Sequence, residues 1–246
     1  MELINALNHR RSIRHYHNIP IPSGVMSRLL KQALKAPSSS NVQPYRLAVA
    51  SGDVRRAISD ELCERYDRAS SVSRMPLPLK LWHGVTGKVL PDGDYNPNVK
   101  YPKELHQRKF ECGMGLYETL GIDREDYAAR DRQMRRNFEF FGAPTVIFVY
   151  VHDKLGRYSA LDAGIFLQSL MLAAVDEGLG TCTQAALAIW GGPVRERFEI
   201  EADYKLLCGV SIGYPAAHPV NEYQPARRDV ADIQLRLRDQ ANRASA

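Results

Sequence analysis

Two short segments near the N-terminus combine residue types that bind a phosphorylated, heteroatom-rich small molecule. One is Arg10-Arg11-Ser12-Ile13-Arg14-His15-Tyr16; the other is Ala36-Pro37-Ser38-Ser39-Ser40-Asn41-Val42-Gln43-Pro44-Tyr45. If residues 10–14 run extended, the two-residue period of a strand puts Arg10, Ser12 and Arg14 on one face and Arg11 and Ile13 on the other. Arginine is permanently charged and presents a fork of donors to phosphate oxygens, while a serine hydroxyl donates and accepts along a polyol. Taken alone, such a string equally describes a solvated basic stretch after a helix. The second segment is entered through Pro37 and closed by Pro44. It offers Ser38, Ser39, Asn41, Gln43 and backbone amides to a planar ring edged with carbonyls and nitrogens, and the same residue types also build ordinary turns for local reasons.

In this order the two segments resemble the FMN-dependent nitroreductase family, in which an Arg-x-Ser-x-Arg/Lys string and a Pro-Ser-Ser-x-Asn-x-Gln-Pro-Trp/Tyr loop both contact the flavin. A third segment, Glu177-Gly178-Leu179-Gly180-Thr181-Cys182-Thr183-Gln184-Ala185-Ala186, is similar to the family's strand after its long central helix. A fourth, Arg227-Arg228-Asp229-Val230, resembles more loosely the Arg-x-Pro-Val whose arginine binds the flavin phosphate. The likeness spans nearly the whole chain, is weakest over residues 68–135, and is greatest to the nitrobenzoate and chloronitrobenzene reductase subgroup. Thr183 and Asp229 stand where that pattern has proline, and the choice between Arg227 and Arg228 at the phosphate stays open.

The resemblance implies an FMN site made by Arg10, Arg11, Ser12, Arg14, Pro37, Ser38, Ser39, Asn41, Gln43, Thr183, Gln184, Ala185, Ala186 and Arg227. Asn137 joins them as a polar residue shortly before an apolar strand. By the same resemblance the backbone amide near Ala185 and Ala186 faces flavin N5, and Arg14 lies at the N1–O2 edge. NADH or NADPH is the donor, nitroaromatics or quinones are the acceptors in a ping-pong scheme, and no side chain acts as an independent catalyst. Two chains interlock as a homodimer, each sending a C-terminal arm to its partner's sheet. Reductive dehalogenation, ene reduction and flavin fragmentation on the same fold stand as alternatives, as does a flavin store or sensor without turnover.

With 246 residues, 44% hydrophobic and 25% charged, the chain can bury a full core, and the absence of a visible linker predicts a single domain over residues 1–246. Residues 1–7 lack a basic, apolar leader, and no stretch reads as some 20 consecutive apolar residues, so a cytoplasmic protein without a membrane partner is expected. Cys63, Cys112, Cys182 and Cys208 are scattered with no Cys-x-x-Cys pair, against zinc or a disulfide framework. A net charge of +5 comes with no nucleic-acid motif, so no nucleic-acid partner is expected, and a basic surface also draws anionic flavin and nicotinamide cofactors. Gly178-Leu179-Gly180 and Gly113-Met114-Gly115 lack the third glycine of a dinucleotide fingerprint, and Gly84-Val85-Thr86-Gly87-Lys88 has the wrong spacing for a P-loop. His152-Asp153 reads as a local surface pair, and Cys182 as a small buried apolar residue.

The elements that must position these residues follow from periodicity. Apolar residues at helical spacing predict helices from Ser23, over 53–67, 103–119 and 124–141, and a long apolar one over 159–177 that belongs in the centre or at a dimer interface. Strands are predicted over 46–50, 145–151 and 205–214. Residues 68–135 read as an inserted lid, irregular over 68–102 where prolines and glycines cluster, and residues 215–246 as an extended arm and basic tail. Without strict strand–helix alternation the class is α+β, a small central mixed sheet flanked by helices.

Overall fold

The computed structural model describes residues 1–79, 82, 90–95 and 100–235. The expected features at Gly84, Gly87, Pro97 and in the tail beyond residue 235 lie outside them. Four strands, β1 (Tyr45–Ser51), β2 (Thr145–His152), β3 (Gly180–Gln184) and β4 (Tyr204–Gly213), form a sheet of order β1-β2-β4-β3 with every neighbouring pair antiparallel. Outside the four strands, the arginine-rich segment makes an isolated parallel bridge, Ser12 to Thr181.

The run TVIFVYV is apolar throughout because β2 is covered on both faces. Val146, Phe148 and Tyr150 point into one cluster with Ile58, Leu62, Phe138, Phe140 and Trp190. Ile147, Val149 and Val151 point into the other, with Leu29, Ala33, Phe166 and Leu170, as the two-residue period of a strand requires. The first cluster is closed by helix α3 (Gly52–Ser73), six residues longer at its C-terminal end than predicted, and the second by α2 (Ser23–Ala33) and the long helix α6 (Arg157–Asp176), on which α1 (Leu3–His9) packs. Although α6 has the length and composition of a membrane span, Phe166, Leu167, Leu170 and Ala174 are buried in the core, and its Asp162 bonds a neighbouring loop. It is a core helix.

Helix α4 (Lys103–Thr119) matches its expected bounds, whereas the helix predicted over 124–141 is confined to α5 (Tyr127–Arg135). Beyond it Phe140 and Phe141 both take positive φ, 55° each, a conformation that ends a right-handed helix. Burying Phe138, Phe140 and Phe141 in the first cluster outweighs their continuation of the helix, an override of local propensity by packing. A short helix, α7 (Gly192–Arg195), precedes β4, and the arm beyond residue 215 contains two one-turn elements, Pro219–Asn221 and α8 (Val230–Ile233).

Candidate functional site

Residues 10–16 leave α1 extended. Ser12 bridges Thr181, and the Ile13 N–H donates to the Thr181 carbonyl at 2.9 Å. Ile13 turns into the core, which leaves Arg10, Ser12 and Arg14 together on the rim of a cavity of about 400 Å³. Arg227 lines the same cavity; Arg228 does not. Cys112 of α4 and Tyr223 also line it, and no Asp or Glu does. Arg11 also reaches the cavity, but its guanidinium is neutralised by Glu222 at 2.6 Å.

The cavity gathers guanidinium groups with no carboxylate lining it. Burial, and then the nearby Arg227 guanidinium, lower the Arg10 pKa from the ordinary arginine value. Both causes penalise the charged form, and a bound phosphate would relieve both. The Arg14 N–H donates to Asn221 Oδ1 at 2.7 Å. Asn221 is buried and uses its whole amide: Oδ1 also accepts from the His15 N–H at 3.1 Å, and Nδ2 donates to the His15 and Ala216 carbonyls at 2.8 Å each. It therefore fixes the backbone that aims Arg14. Sequence reading missed Asn221, because a lone asparagine in a polar arm carries no local signal; its partners Arg14 and His15 are 207 and 206 residues away in the chain. The departure at Asp229 is accounted for locally, since Asp229 caps α8 in a reciprocal box with Asp232.

The loop after Pro37 is strained. Ser40, Asn41 and Gln43 have φ of 45°, 57° and 47°, where a side chain other than asparagine costs about 1 kcal/mol or more. Such a conformation persists only if its surroundings over-determine it. Here the buried Asp162 accepts from the Ser39 N–H at 3.2 and 3.3 Å, Ser38 Oγ accepts from the Gln43 N–H at 2.9 Å, and Gln43 Nε2 donates to Asn41 Oδ1 at 3.1 Å. Asp162→Ala removes the anchor and is expected to lower stability by about 2 kcal/mol. It should also expose residues 38–43 to protease, and a thermal melt with limited proteolysis reads both. A melt and a cleavage pattern equal to the parent's would remove Asp162 from this role.

None of residues 37–43 lines the arginine cavity, so the two predicted halves of the site are not brought together within one chain. Asn137 and Gln184 do meet: Gln184 Nε2 donates to the Asn137 carbonyl at 2.9 Å and to its Oδ1 at 3.3 Å, and Ser211 Oγ donates to Gln184 Oε1. The Gln184 side chain is thereby used inside the core. Thr183 is exposed, with its hydroxyl 3.6 Å from the Met171 sulfur, and Ala185 and Ala186 open a 3₁₀ turn at the end of β3. Strand β3 thus runs from Thr181, the bridge partner of Ser12, to the Ala185 turn, a separation of roughly 13 Å at strand rise. Cys182, buried beneath, has its thiol pushed up to about 11 by burial, in keeping with an inert apolar role. His152 accepts from the Lys154 N–H at 3.4 Å and lies 3.9 Å from Asp153, a local surface arrangement.

The chain is 32% identical over 224 residues to a 4-nitrobenzoate reductase from a Nocardioides species, covering 90% of this chain and 84% of the relative. Among solved structures it is similar to the FMN and NADPH-dependent nitroreductase NfnB from sphigopyxis sp. strain HMH, with a TM-score of 0.81 and 28% identity, covering 96% of this chain and 99% of that one. It is also similar to the FMN-dependent nitroreductase NfnB from Mycobacterium smegmatis in complex with NADPH, with a TM-score of 0.77 and 28% identity, covering 96% of this chain and 100% of that one. The fold expected from the resemblance is the fold observed. The model of the nitroreductase family matches residues 7–214, a span that contains the arginine segment, the Pro37 loop and β3 with its following turn, and the chain belongs to that family.

Proposed function

We propose that this chain is an FMN-dependent nitroreductase that takes electrons from NADPH or NADH and passes them to nitroaromatic or quinone acceptors in a ping-pong scheme. The observation that carries the reading is the cavity lined by Arg10, Arg14 and Arg227 without a carboxylate, which fits a phosphorylated cofactor. Arg10 and Arg227 hold the phosphate, and Ser12 bonds the polyol. When bound, the flavin supplies hydride transfer from donor to acceptor. Arg14 places fixed positive charge beside the ring edge where negative charge develops, and the Ala185 turn aligns the reacting face. Donor and acceptor would bind in turn, with protons supplied by water or the flavin.

A second copy of the chain completes the site. The Pro37 loop is held in a strained, preformed shape yet lies outside the arginine cavity, as expected of a loop that serves a partner's cofactor. The loop exposes Val42, and the adjacent helix α6 exposes Tyr158 and Leu161, an apolar surface suited to a homodimer. Asn221, Tyr223 and Arg227 keep the first part of the arm on its own chain, so the segment beyond Arg227 is the part that would reach the partner's sheet.

The test is the visible spectrum of the protein supplied with FMN, followed anaerobically by stopped flow as NADPH and then NADH is added. Bleaching that a nitroaromatic reverses is the expected result; bound flavin that stays oxidised would favour a store or sensor. In the same experiment Arg14→Ala is expected to slow bleaching about tenfold, equivalent to about 1.4 kcal/mol of barrier, with FMN largely retained. Bleaching at the parent's rate would remove Arg14 from the ring edge.

A further inference from the structure

Helix α4 carries two glycines in its interior, Gly113 and Gly115, at positions where alanine is the better helix former. They differ in surroundings. A β-carbon at Gly113 would meet nothing within 4 Å, whereas one at Gly115 would lie 2.9 Å from both Cε2 and Oη of Tyr223. The bare helix surface at Gly115 is therefore the seat of the Tyr223 ring. From there the phenol donates to the Cys112 carbonyl at 2.8 Å, one turn back on the same helix. Tyr223 and Cys112 both line the cavity of Arg10, Arg14 and Arg227, and Arg227 follows Tyr223 by only four residues. Burial raises the Tyr223 pKa against the opposing influence of Arg14, so the hydroxyl keeps the proton it donates.

We propose that Tyr223 is a latch: seated over Gly115 and bonded to the Cys112 carbonyl, it pins the segment carrying Arg227 onto helix α4 and so sets how long a cofactor stays in the arginine cavity. The inference rests on the reading that this cavity holds the FMN phosphate. Tyr223 is a positioning residue, acting through Arg227 and the cavity wall. Release of the latch leaves Arg227 on a segment free to withdraw from the phosphate.

Gly115→Ala gives an unusual pair of expectations. Helix propensity favours the alanine, so the flavin-free protein should melt no lower than the parent, yet the displaced tyrosine should release FMN faster by about tenfold. Tyr223→Phe keeps the ring and deletes the hydrogen bond, and should release FMN faster by about threefold. Release is followed by the rise of free-flavin fluorescence on dilution of the loaded protein, without turnover, and each flavin-free variant is melted alongside. Gly113→Ala, with no neighbour to displace, should release FMN at the parent's rate. Unchanged release in both Gly115→Ala and Tyr223→Phe, in a parent that holds FMN, overturns the latch and leaves the cofactor reading intact. A parent that takes up no FMN overturns the reading on which the latch rests.

Discussion

Arg10→Ala and Arg227→Ala are each expected to weaken FMN binding by roughly 10- to 100-fold, the equivalent of losing a charge-assisted hydrogen bond of about 1.5–3 kcal/mol. The two guanidinium groups share a cavity wall that no carboxylate lines, and Arg10 is held against both burial and the Arg227 charge. That crowding shapes the double variant. Removing one cation relieves the other, so the combined loss should exceed either single loss yet fall short of their product, as neighbouring sites generally do. The flavin-free proteins should be as stable as the parent or slightly more so, since each substitution removes like-charge repulsion. Fluorescence titration with FMN reads the affinities and a melt of the flavin-free forms reads the stabilities. Undiminished affinity in both single variants would mean that the phosphate lies elsewhere.

Gly93→Ala should be the most damaging small substitution among the described residues. A β-carbon at Gly93 would stand 1.8 Å from the Ala188 carbonyl oxygen and 2.9 Å from that of Ile189, both backbone atoms that no side-chain rotation can move aside. The glycine N–H donates to the Ile189 carbonyl at 3.0 Å. On either side, Asp92 accepts from the Gly191 N–H at 2.7 Å and from Arg65 at 2.6 Å, while Asp94 accepts from the Leu206 N–H at 2.7 Å and from Arg195 at 2.8 Å. The three residues therefore staple residues 188–195 to β4, immediately after the Ala185 turn. Forcing the backbones apart is expected to cost about 3 kcal/mol, a fall in Tm of roughly 6–12 °C for a chain of this size. Calorimetry against the parent, with Gly113→Ala as a helical glycine that has open space, decides the matter. Equal melting temperatures for Gly93→Ala and the parent would show that the staple does not hold this turn.

The parts of the fold legible in the sequence were those with strong periodicity and local punctuation. Strand β2 announced itself as an unbroken apolar run, and α4 began after Pro102 where its expected start lies. The helix expected to run on to residue 141 failed because three phenylalanines are drawn into the sheet-side core, and positive φ at Phe140 and Phe141 is the means. No window of residues 124–141 records the distant strands that bury them. The Asp92-Gly93-Asp94 staple was likewise hidden within a stretch that reads as irregular, because its partners Gly191, Arg195 and Leu206 are about a hundred residues away.

At the site the same division holds. Alternation was enough to set Arg10, Ser12 and Arg14 against Ile13, since the period of an extended chain is a local property, but not to place Arg11, which was expected on the Ile13 side and also lines the cavity. The positive charge of that face could also be read locally, because arginine carries its charge in any environment. Only the tertiary structure could choose Arg227 over Arg228, seat Tyr223 on Gly115, turn the Gln184 amide into the core and set the Pro37 loop apart from the arginine cavity. Each of those outcomes depends on which distant surfaces pack together, and packing is decided by the summed burial of the whole chain rather than by any segment's own preference.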